Sequence, residues 1–347
     1  MKTALIVGNG FTLSLLAHIG SDLNSSSPFS WDIPNPESEG LLLDSLPHLK
    51  KFLSGRMKNE PDFEIFNRLV VSVNKNTTNV ISDSDSIDNI ILDSGHYLAI
   101  AYSWFQTELD RFSFADWEWS KWLSNNRLDI AACLSWNYDL VLERVIECTM
   151  TPFYYDVERM RGNSGAPNFY PVDFNRRAIG VYKPHGSCNF SPAIELRWGD
   201  KPGEIDHHLK YPRRGLATGY NGPLKILTAT ELLSARDVAD LVLPGERNRF
   251  SEEVNSGCNV AEARLVETTW SHRQIDRFRS ASIGVERLII VGFSMMEVDK
   301  AEFVDAISGF HMLEELVVVD PWPSSKLMNF VETLNVRVTT LGSISDL

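Results

Sequence analysis

Five short apolar runs constrain the fold of this chain more than any other feature of its sequence. They cover residues 3–7, 129–135, 179–183, 287–291 and 316–319. Continuous apolar runs of this length are typical of strands that are covered on both faces, as the strands of parallel sheets are. Several of the runs lead into segments with the spacing of helices. We therefore predict an α/β fold, with a Rossmann-like parallel open sheet and flanking helices.

The first two predicted strands are separated by a long stretch in which apolar residues recur at helical spacing. This stretch, residues 39–125, shows no clear strand, and we interpret it as a large helical insertion. Residues 150–178 are interpreted as loop, and residues 188–222 as irregular because they are rich in glycine, proline and charge. A short strand is predicted at 224–228. No internal repeat is visible, and the length allows one large domain or two of ordinary size.

Composition excludes several classes of function. Acidic residues outnumber basic residues by 46 to 33, and the net charge of −13 repels a phosphate backbone, so we expect no direct nucleic-acid binding. No apolar run reaches the ~18 residues of a membrane span, and the first run is too short for a secretory signal. The four cysteines form no CxxC pair, which argues against a zinc knuckle or a disulfide framework. We expect a cytoplasmic protein without membrane contact.

Polar motifs follow the apolar runs at the points where the strands are predicted to end. Parallel strands place their carboxyl ends at one edge of a sheet, and ligands of open α/β sheets bind outside that edge. The shared position of the motifs therefore predicts a binding site there. In chain order the motifs are Gly8-Asn9-Gly10-Phe11-Thr12, Trp136-Asn137-Tyr138-Asp139, Pro184-His185-Gly186-Ser187, Gly292-Phe293-Ser294 and Asp320-Pro321.

The first motif has two interpretations. Gly8 and Gly10 would let the backbone approach a ligand closely, and the helix after them would direct N–H groups toward an anion. Thr12 would add a hydroxyl to such a site. The alternative is a tight turn without a ligand, because the third glycine of the dinucleotide-binding fingerprint is absent.

The second and third motifs carry groups suited to proton transfer and orientation. Asn137 and Asp139 offer an amide and a carboxylate, which suit the orientation of a water or a ribose hydroxyl. Their alternative role is to cap the helix that begins near Leu140. The imidazole of His185 would take up a proton near neutral pH, unless it only fills a turn.

The last two motifs are predicted to contact phosphate or ribose. Ser294 follows Gly292 and precedes Asp299, while Asp320 ends the last apolar run, where an acid is placed to bind an adenosine ribose. A simple turn is the alternative for Asp320-Pro321. The pair His207-His208 lacks a neighbouring carboxylate–histidine pattern, so no metal site is expected.

Taken in chain order, the motifs resemble the sirtuin-like family, and specifically its divergent bacterial branch of NAD-consuming antiphage proteins. The opening Gly8-Asn9-Gly10-Phe11 is also similar to that of the abortive-infection H-type proteins, a neighbouring family. Thr12 and Asn9 depart from the serine and alanine that are usual in the first motif. The matching residues are the first motif, Asn137-Tyr138-Asp139 with Glu143, His185-Gly186, Gly292-Phe293-Ser294 with Asp299, and Leu243-Pro244 with Trp270 downstream.

The resemblance implies that the whole chain is one sirtuin-like catalytic domain that binds NAD as its substrate and holds no metal. Asn137 and His185 would be the catalytic pair: His185 would activate water or a ribose hydroxyl, and Asn137 would orient it. Asp139 would hold the carboxamide end of NAD. The implied NAD-binding residues are Gly8, Asn9, Gly10, Phe11, Thr12, Gly186, Ser187, Gly292, Phe293, Ser294, Asp299 and Asp320.

The resemblance further implies a toxic effector of antiphage defence that converts NAD to nicotinamide and ADP-ribose. Such an enzyme would be held off until a partner, such as an ATPase or a phage-sensing subunit, or assembly into a homo-oligomer activates it. One alternative is a catalytically silent subunit that binds NAD or ADP-ribose within a defence complex. Another is an NAD-dependent protein deacylase, although the zinc-binding cysteine pairs of that class are absent.

Overall fold

The fold is a seven-stranded parallel sheet with helices on both faces, which confirms the predicted class. All six pairings between neighbouring strands are parallel. The computed structural model describes residues 1–23, 28, 30–35, 39–55, 84–156, 178–192, 224–227, 270–295 and 299–347. Most of the predicted irregular segment 188–222, together with His207-His208 and Leu243-Pro244, lies outside these residues.

The sheet has the order β3-β4-β2-β1-β7-β8-β9, and β5 and β6 form a separate antiparallel pair. The strands are β1 (Thr3–Val7), β2 (Ile130–Ser135), β3 (Phe153–Tyr155), β4 (Ile179–Tyr182), β5 (Phe190–Pro192), β6 (Leu224–Ile226), β7 (Arg287–Val291), β8 (Glu315–Val319) and β9 (Arg337–Leu341). The helices are α1 (Asn9–Ile19), α2 (Pro47–Ser54), α3 (Ser84–Leu109), α4 (Glu118–Asn126), α5 (Val141–Cys148), α6 (Trp270–Ala281), α7 (Lys300–Ile307) and α8 (Ser325–Val331).

The two edge strands of the sheet are absent from the sequence prediction. β3 has only three residues and falls in the stretch interpreted as loop. β9 contains an arginine and two threonines among its five residues and has no buried position, so it lacks the continuous apolar run that marks the central strands. The strand predicted at 224–228 forms as β6, but it pairs with β5 outside the main sheet.

The alternating side chains of β1 divide the core into two layers. Leu5 and Val7 join the apolar cluster that packs against α1 to α5. Ala4 and Ile6 join the cluster on the opposite face, which contains residues of α6, α7 and α8. Both faces of the sheet are therefore covered, as the continuous apolar runs predict.

β1 lies at the topological switch point of the sheet. The chain leaves β1 toward β2 on one side and later returns as β7 on the other. Ligands of open α/β sheets bind outside the carboxyl ends of strands at such a point. The loops after β1, β2, β4 and β7 therefore form the region where a site is expected.

The described part of residues 39–125 contains α2, α3, α4 and a short 3-10 turn at Leu42–Ser45. Trp117 and Trp119 from this part are buried against Phe11 at the start of α1. These helices therefore cover the switch point from one face. Among the described residues, no helix combines the length and the apolar character needed to cross a membrane.

Candidate functional site

The glycine turns after β1 and β7 pack backbone against backbone. A Cβ on Gly10 would lie 2.5 Å from Gly292 Cα, and one on Gly8 would lie 2.7 Å from the Gly292 carbonyl oxygen. The Gly10 N–H donates to that same oxygen at 2.9 Å, and Gly292 has a φ of 52°. Close packing of the two turns thus requires these three glycines, and ligand approach at them stays a prediction.

Thr12, Asn137 and Asp139 meet in one buried hydrogen-bonded group. Asn137 Nδ2 donates to the Gly8 carbonyl at 3.0 Å and contacts Thr12 Oγ1 at 3.2 Å. Since a carbonyl only accepts, the amino half of the Asn137 amide faces inward, and its Oδ1 is the atom left to act on a ligand. Thr12 Oγ1 donates to Asp139 Oδ2 at 2.7 Å.

Asp139 also contacts the start of the next helix, but it is not the N-cap: that residue is Leu140, and no side chain of the described residues caps the helix there. Asp139 Oδ1 accepts from the Val141 N–H at 3.1 Å, in the first turn of α5. Both carboxylate oxygens therefore have donors within the protein. Burial raises the pKa of Asp139, although Lys183, Thr12 and the Val141 N–H act in the opposite direction.

Lys183 is a functional candidate that the sequence reasoning missed. It follows β4, is fully buried, and donates from Nζ to the Asp139 carbonyl at 2.6 Å and to Glu143 Oε1 at 3.0 Å. The Tyr155 hydroxyl donates to the same Glu143 oxygen at 3.1 Å. A charged residue at the end of an otherwise apolar run was the signal, because a buried ammonium needs a buried acid.

His185 is held by two acids near the start of α7. Its Nε2 lies 2.9 Å from Glu302 Oε2 and 4.0 Å from Asp299 Oδ1. Ser271 on α6 donates to the other Glu302 oxygen at 2.6 Å. Glu302 and Ser271 were not predicted, because nothing in the sequence relates either to a histidine more than 80 positions away.

The surroundings of His185 and Asp299 favour the protonated form of each side chain. Burial pulls the pKa of His185 down, but the hydrogen bond and charge of Glu302, with the charge of Asp299, outweigh burial and raise it. Burial raises the pKa of Asp299 to about 7, against the opposing charge of His185. A raised histidine pKa beside a raised carboxyl pKa is typical of functional sites as well as of buried ion pairs.

Direct contacts join the loops that carry these groups. The Cys188 N–H donates to the Tyr138 carbonyl at 3.0 Å, which ties the loop after β4 to the loop after β2. The ring of Trp136 lies 6.2 Å from that of His185 and 4.9 Å from that of Phe293, measured between centroids. Four of the five predicted motifs therefore converge at one point of the sheet edge.

Several predicted site residues have structural partners instead of an open position. The ring of Phe11 is in the core, and that of Phe293 stacks on Phe303 at 4.9 Å. Ser294 differs from these two, because it is exposed and, among the described residues, only its backbone carbonyl accepts a hydrogen bond, from Ser324 Oγ. Asp320 lies two strands from β1 and accepts from the Trp322 N–H at 2.8 Å, as the turn alternative predicts. A role in ribose binding stays a prediction for Asp320.

The remaining predicted residues differ in their exposure. Asn9 is exposed at the start of α1, whereas Gly186, with a φ of 76°, is buried beside His185. Ser187 Oγ and Trp136 Nε1 are buried and have no hydrogen-bond partner within the part of the chain that the structure describes. Buried polar atoms are normally satisfied, so these two atoms beside His185 mark a place where a ligand or water would supply partners.

Comparisons with known proteins identify structural neighbours, with 26 similar chains among the solved structures. No family model matches the chain, and no curated protein matches it. A solved structure described as "Structural Basis for the Mechanism and Regulation of Sir2 Enzymes" is similar at 10% identity, with 99% of this chain and 87% of that chain covered and a TM-score of 0.32. At so low a score, the fold assignment depends on the strand order and pairing described above.

Proposed function

We propose that the chain binds NAD at the carboxyl edge of its sheet and hydrolyses it to nicotinamide and ADP-ribose. The observation that carries the proposal is the convergence of Thr12, Asn137 and His185, which come from loops far apart in sequence. These are the residue types and the order of the motifs that resemble the NAD-consuming branch of the sirtuin-like family. Strand order places them at the switch point where such sheets bind nucleotides.

The proposed reaction breaks the bond between C1′ of the ribose and the nicotinamide nitrogen. The bond electrons leave with nicotinamide, and the oxygen of a water forms the new bond to C1′ as its proton passes to His185. The transition state has oxocarbenium character, so position and charge matter more than a strong nucleophile. Asn137 Oδ1 would accept from the attacking water or a ribose hydroxyl, since its amino group is already bound inward.

Two of the acids act through other residues in this proposal. Glu302 holds Nε2 of His185 and orients the ring, so it is a positioning residue. Asp139 accepts from Thr12, which also contacts the Asn137 amide, and thereby fixes the angle of that amide. Thr12 is the link between the glycine turn and the catalytic asparagine.

The biological role in the proposal is that of an effector in antiphage defence, supported by the motif resemblance. An enzyme that drains NAD harms its own cell, so the proposal includes activation by a partner, such as an ATPase or phage-sensing subunit, or by assembly into a homo-oligomer. A cytoplasmic location follows, because the NAD pool that such an effector depletes is there.

The test is NAD loss and nicotinamide release by the purified full chain across a range of protein concentrations. We expect turnover that falls by more than about 100-fold in Asn137→Ala and in His185→Ala, the scale of a lost general base. The matched control is His311→Ala, because His311 is exposed and lies before the amino end of β8, whereas the site is at the carboxyl edge of the sheet. NAD binding without turnover in the unaltered chain would instead favour the silent binding subunit or a form that awaits its activating partner, and equal turnover in all variants would contradict the proposed site.

A further inference from the structure

We propose that His185, Asp299 and Glu302 bind one divalent transition-metal cation of the zinc class. Each residue offers one ligand atom, and the three atoms lie within 4.8 Å of one another. All three side chains are buried. The proposal goes beyond NAD hydrolysis, and it revises the expectation from sequence that the chain holds no metal.

The position of Asp299 is the first argument for a cation. Its Oδ1 is buried and has no hydrogen-bond partner among the described residues. Asp299 occupies the N-cap position of α7, yet its side chain makes no capping hydrogen bond. Helix capping therefore does not explain the placement of this carboxylate, and a buried carboxylate oxygen without a donor is costly.

An ordinary ion pair with His185 explains only one of the two acids. Nε2 carries at most one proton, and Glu302 Oε2 at 2.9 Å is in hydrogen-bond range of it. Asp299 Oδ1 at 4.0 Å is not. A single cation between the three atoms would satisfy both carboxylates and the ring nitrogen together.

The spacing of the ligand atoms fits such an ion. Ligands at about 2.1 Å from a tetrahedral zinc ion are about 3.4 Å from one another. The distances from Nε2, 2.9 Å to Glu302 Oε2 and 4.0 Å to Asp299 Oδ1, lie on either side of that value. Changes of about 0.5 Å would bring both of these distances to the value expected around zinc.

A supporting hydrogen bond orients one ligand. Ser271 Oγ donates to Glu302 Oε1 at 2.6 Å, which leaves Oε2 turned toward His185. Partners of this kind usually fix metal-binding carboxylates and imidazoles in place. The site thus has three ligand atoms and an outer partner for one of the ligands.

The ligand types select the class of metal. One imidazole nitrogen with two carboxylate oxygens suits zinc and its neighbours in the first transition row, whereas calcium and magnesium prefer oxygen ligands alone. Three protein ligands with one open position are typical of zinc sites that bind water. A cation on Nε2 would occupy the ring of the proposed base, so we expect zinc to inhibit NAD hydrolysis.

The experiment measures metal binding without NAD. Chelator-treated, desalted full chain is titrated with Zn²⁺ by calorimetry and with Co²⁺ by visible absorption. We expect one equivalent bound, intense tetrahedral cobalt bands and a rise in Tm with zinc. Asp299→Asn and Glu302→Gln should each weaken binding by more than about tenfold, because each loses a charged ligand.

The controls separate this site from surface binding and from misfolding. His311→Ala removes an exposed histidine and should bind zinc as tightly as the unaltered chain. Far-UV circular dichroism and metal-free Tm verify the fold of each variant, and both carboxylate-to-amide changes keep the shape of the side chain. No binding at micromolar metal, or binding unchanged in both folded ligand variants, would overturn the metal site. Neither result depends on NAD turnover, so the proposed function can fail independently.

Discussion

Two buried polar clusters lie at the same edge of the sheet and differ in how many hydrogen-bond donors their acidic side chains receive. The lysine cluster consists of Asp139, Glu143, Tyr155 and Lys183, and the histidine cluster of His185, Ser271, Asp299 and Glu302. In the lysine cluster, each acid receives donors: two on Asp139 and two on Glu143 Oε1, although Glu143 Oε2 is buried without a partner among the described residues. In the histidine cluster, both donors, His185 and Ser271, are on Glu302.

The difference separates a group that stabilises the fold from a group that is prepared for a ligand. A buried network in which each acid has donors rigidifies its surroundings. A buried carboxylate oxygen without a hydrogen-bond donor, such as Asp299 Oδ1, needs a partner that the described residues do not supply. Substitutions in the lysine cluster should therefore change stability, and substitutions in the histidine cluster should change binding and titration.

The largest expected effect is on the lysine cluster. Lys183→Met keeps the length of the side chain but removes the ammonium, which leaves the Glu143 carboxylate and the Asp139 carbonyl with one donor fewer in the interior. Breaking a buried pair on one side costs about 3–5 kcal/mol. We expect a loss of that size in the free energy of unfolding, measured by urea titration.

The matched control for this variant is another lysine that pairs with an acid. Lys50 contacts Asp44 at 2.8 Å, but both side chains are more than half exposed, so Lys50→Met should leave the free energy of unfolding nearly unchanged. Similar losses in the two variants would mean that the lysine cluster stabilises the fold no more than a surface pair does.

The next effect concerns the glycine turn after β7, which packs against the turn after β1. Gly292→Ala would place a Cβ 2.3 Å from Gly10 Cα at a φ of 52°, and so push the turns after β1 and β7 apart. Overpacking and left-handed strain together cost about 3 kcal/mol. Gly20 is the control, because its φ of 59° is similar but no atom of the described residues lies within 4 Å of its Cβ position.

Comparing the two alanine variants isolates the clash from the backbone strain. Gly20→Ala should cost only about 1 kcal/mol, the strain of a left-handed residue. If Gly292→Ala unfolded at the same urea concentration as Gly20→Ala, the turns would not be in the close contact that positions Thr12 beside Asn137.

In the histidine cluster we expect a smaller change, and here the substitution should increase the free energy of unfolding relative to the unaltered chain as pH rises. Burial raises the pKa of Asp299 from 3.8 to about 7, so the folded chain holds a proton that the unfolded chain releases between about pH 4 and pH 7. Stability from this group is therefore lost as pH rises across that window. Asp299→Asn cannot lose that proton, and its stability relative to the unaltered chain should rise from pH 5 to pH 8.

The measurement for Asp299→Asn compares the free energy of unfolding at two pH values. Urea titrations at pH 5 and pH 8 are run with a chelator, so that bound metal does not stabilise the unaltered chain. The pH-dependent difference should be absent from Asp305→Asn, an acid on the same helix with its own arginine partner. A difference between the chains that did not change with pH would place the ionisation of Asp299 outside this window.

The sequence could predict the residues whose position follows from strand ends. Thr12, Asn137 and His185 each come directly after an apolar run, and parallel strands bring their carboxyl ends to one edge. The central strands were predictable for the same reason, since burial on both faces leaves continuous apolar runs. The edge strands β3 and β9 were not, because one is short and the other is half-exposed.

The partners of the site residues could not be predicted in this way. Glu302 lies in a helix where a charged residue usually faces water, and its partner His185 is 117 positions away. Lys183 carries a charge at the end of a buried strand, but the strand pattern does not say which acid faces it. Long-range pairs of this kind depend on how helices pack on the sheet, which apolar periodicity does not specify.

The smallest expected effect tests whether Glu302 acts on His185 as a positioning residue. His185 must lose its proton to serve as a base, so NAD hydrolysis should rise with pH through the pKa of this residue, which lies above its ordinary value of 6.5. Glu302→Gln removes the charge that holds the proton. The acid limb of kcat/KM should therefore move to lower pH, measured as nicotinamide release with chelator present.

Ser271→Ala is the matched control for this shift. It removes a hydrogen bond to Glu302 but keeps both carboxylates beside the imidazole, so the acid limb should stay close to that of the unaltered chain. A purely structural role for Glu302 would lower the rate at every pH without moving the limb. If both variants showed the limb of the unaltered chain, the titrating group would not be His185, and the histidine cluster would serve metal binding alone.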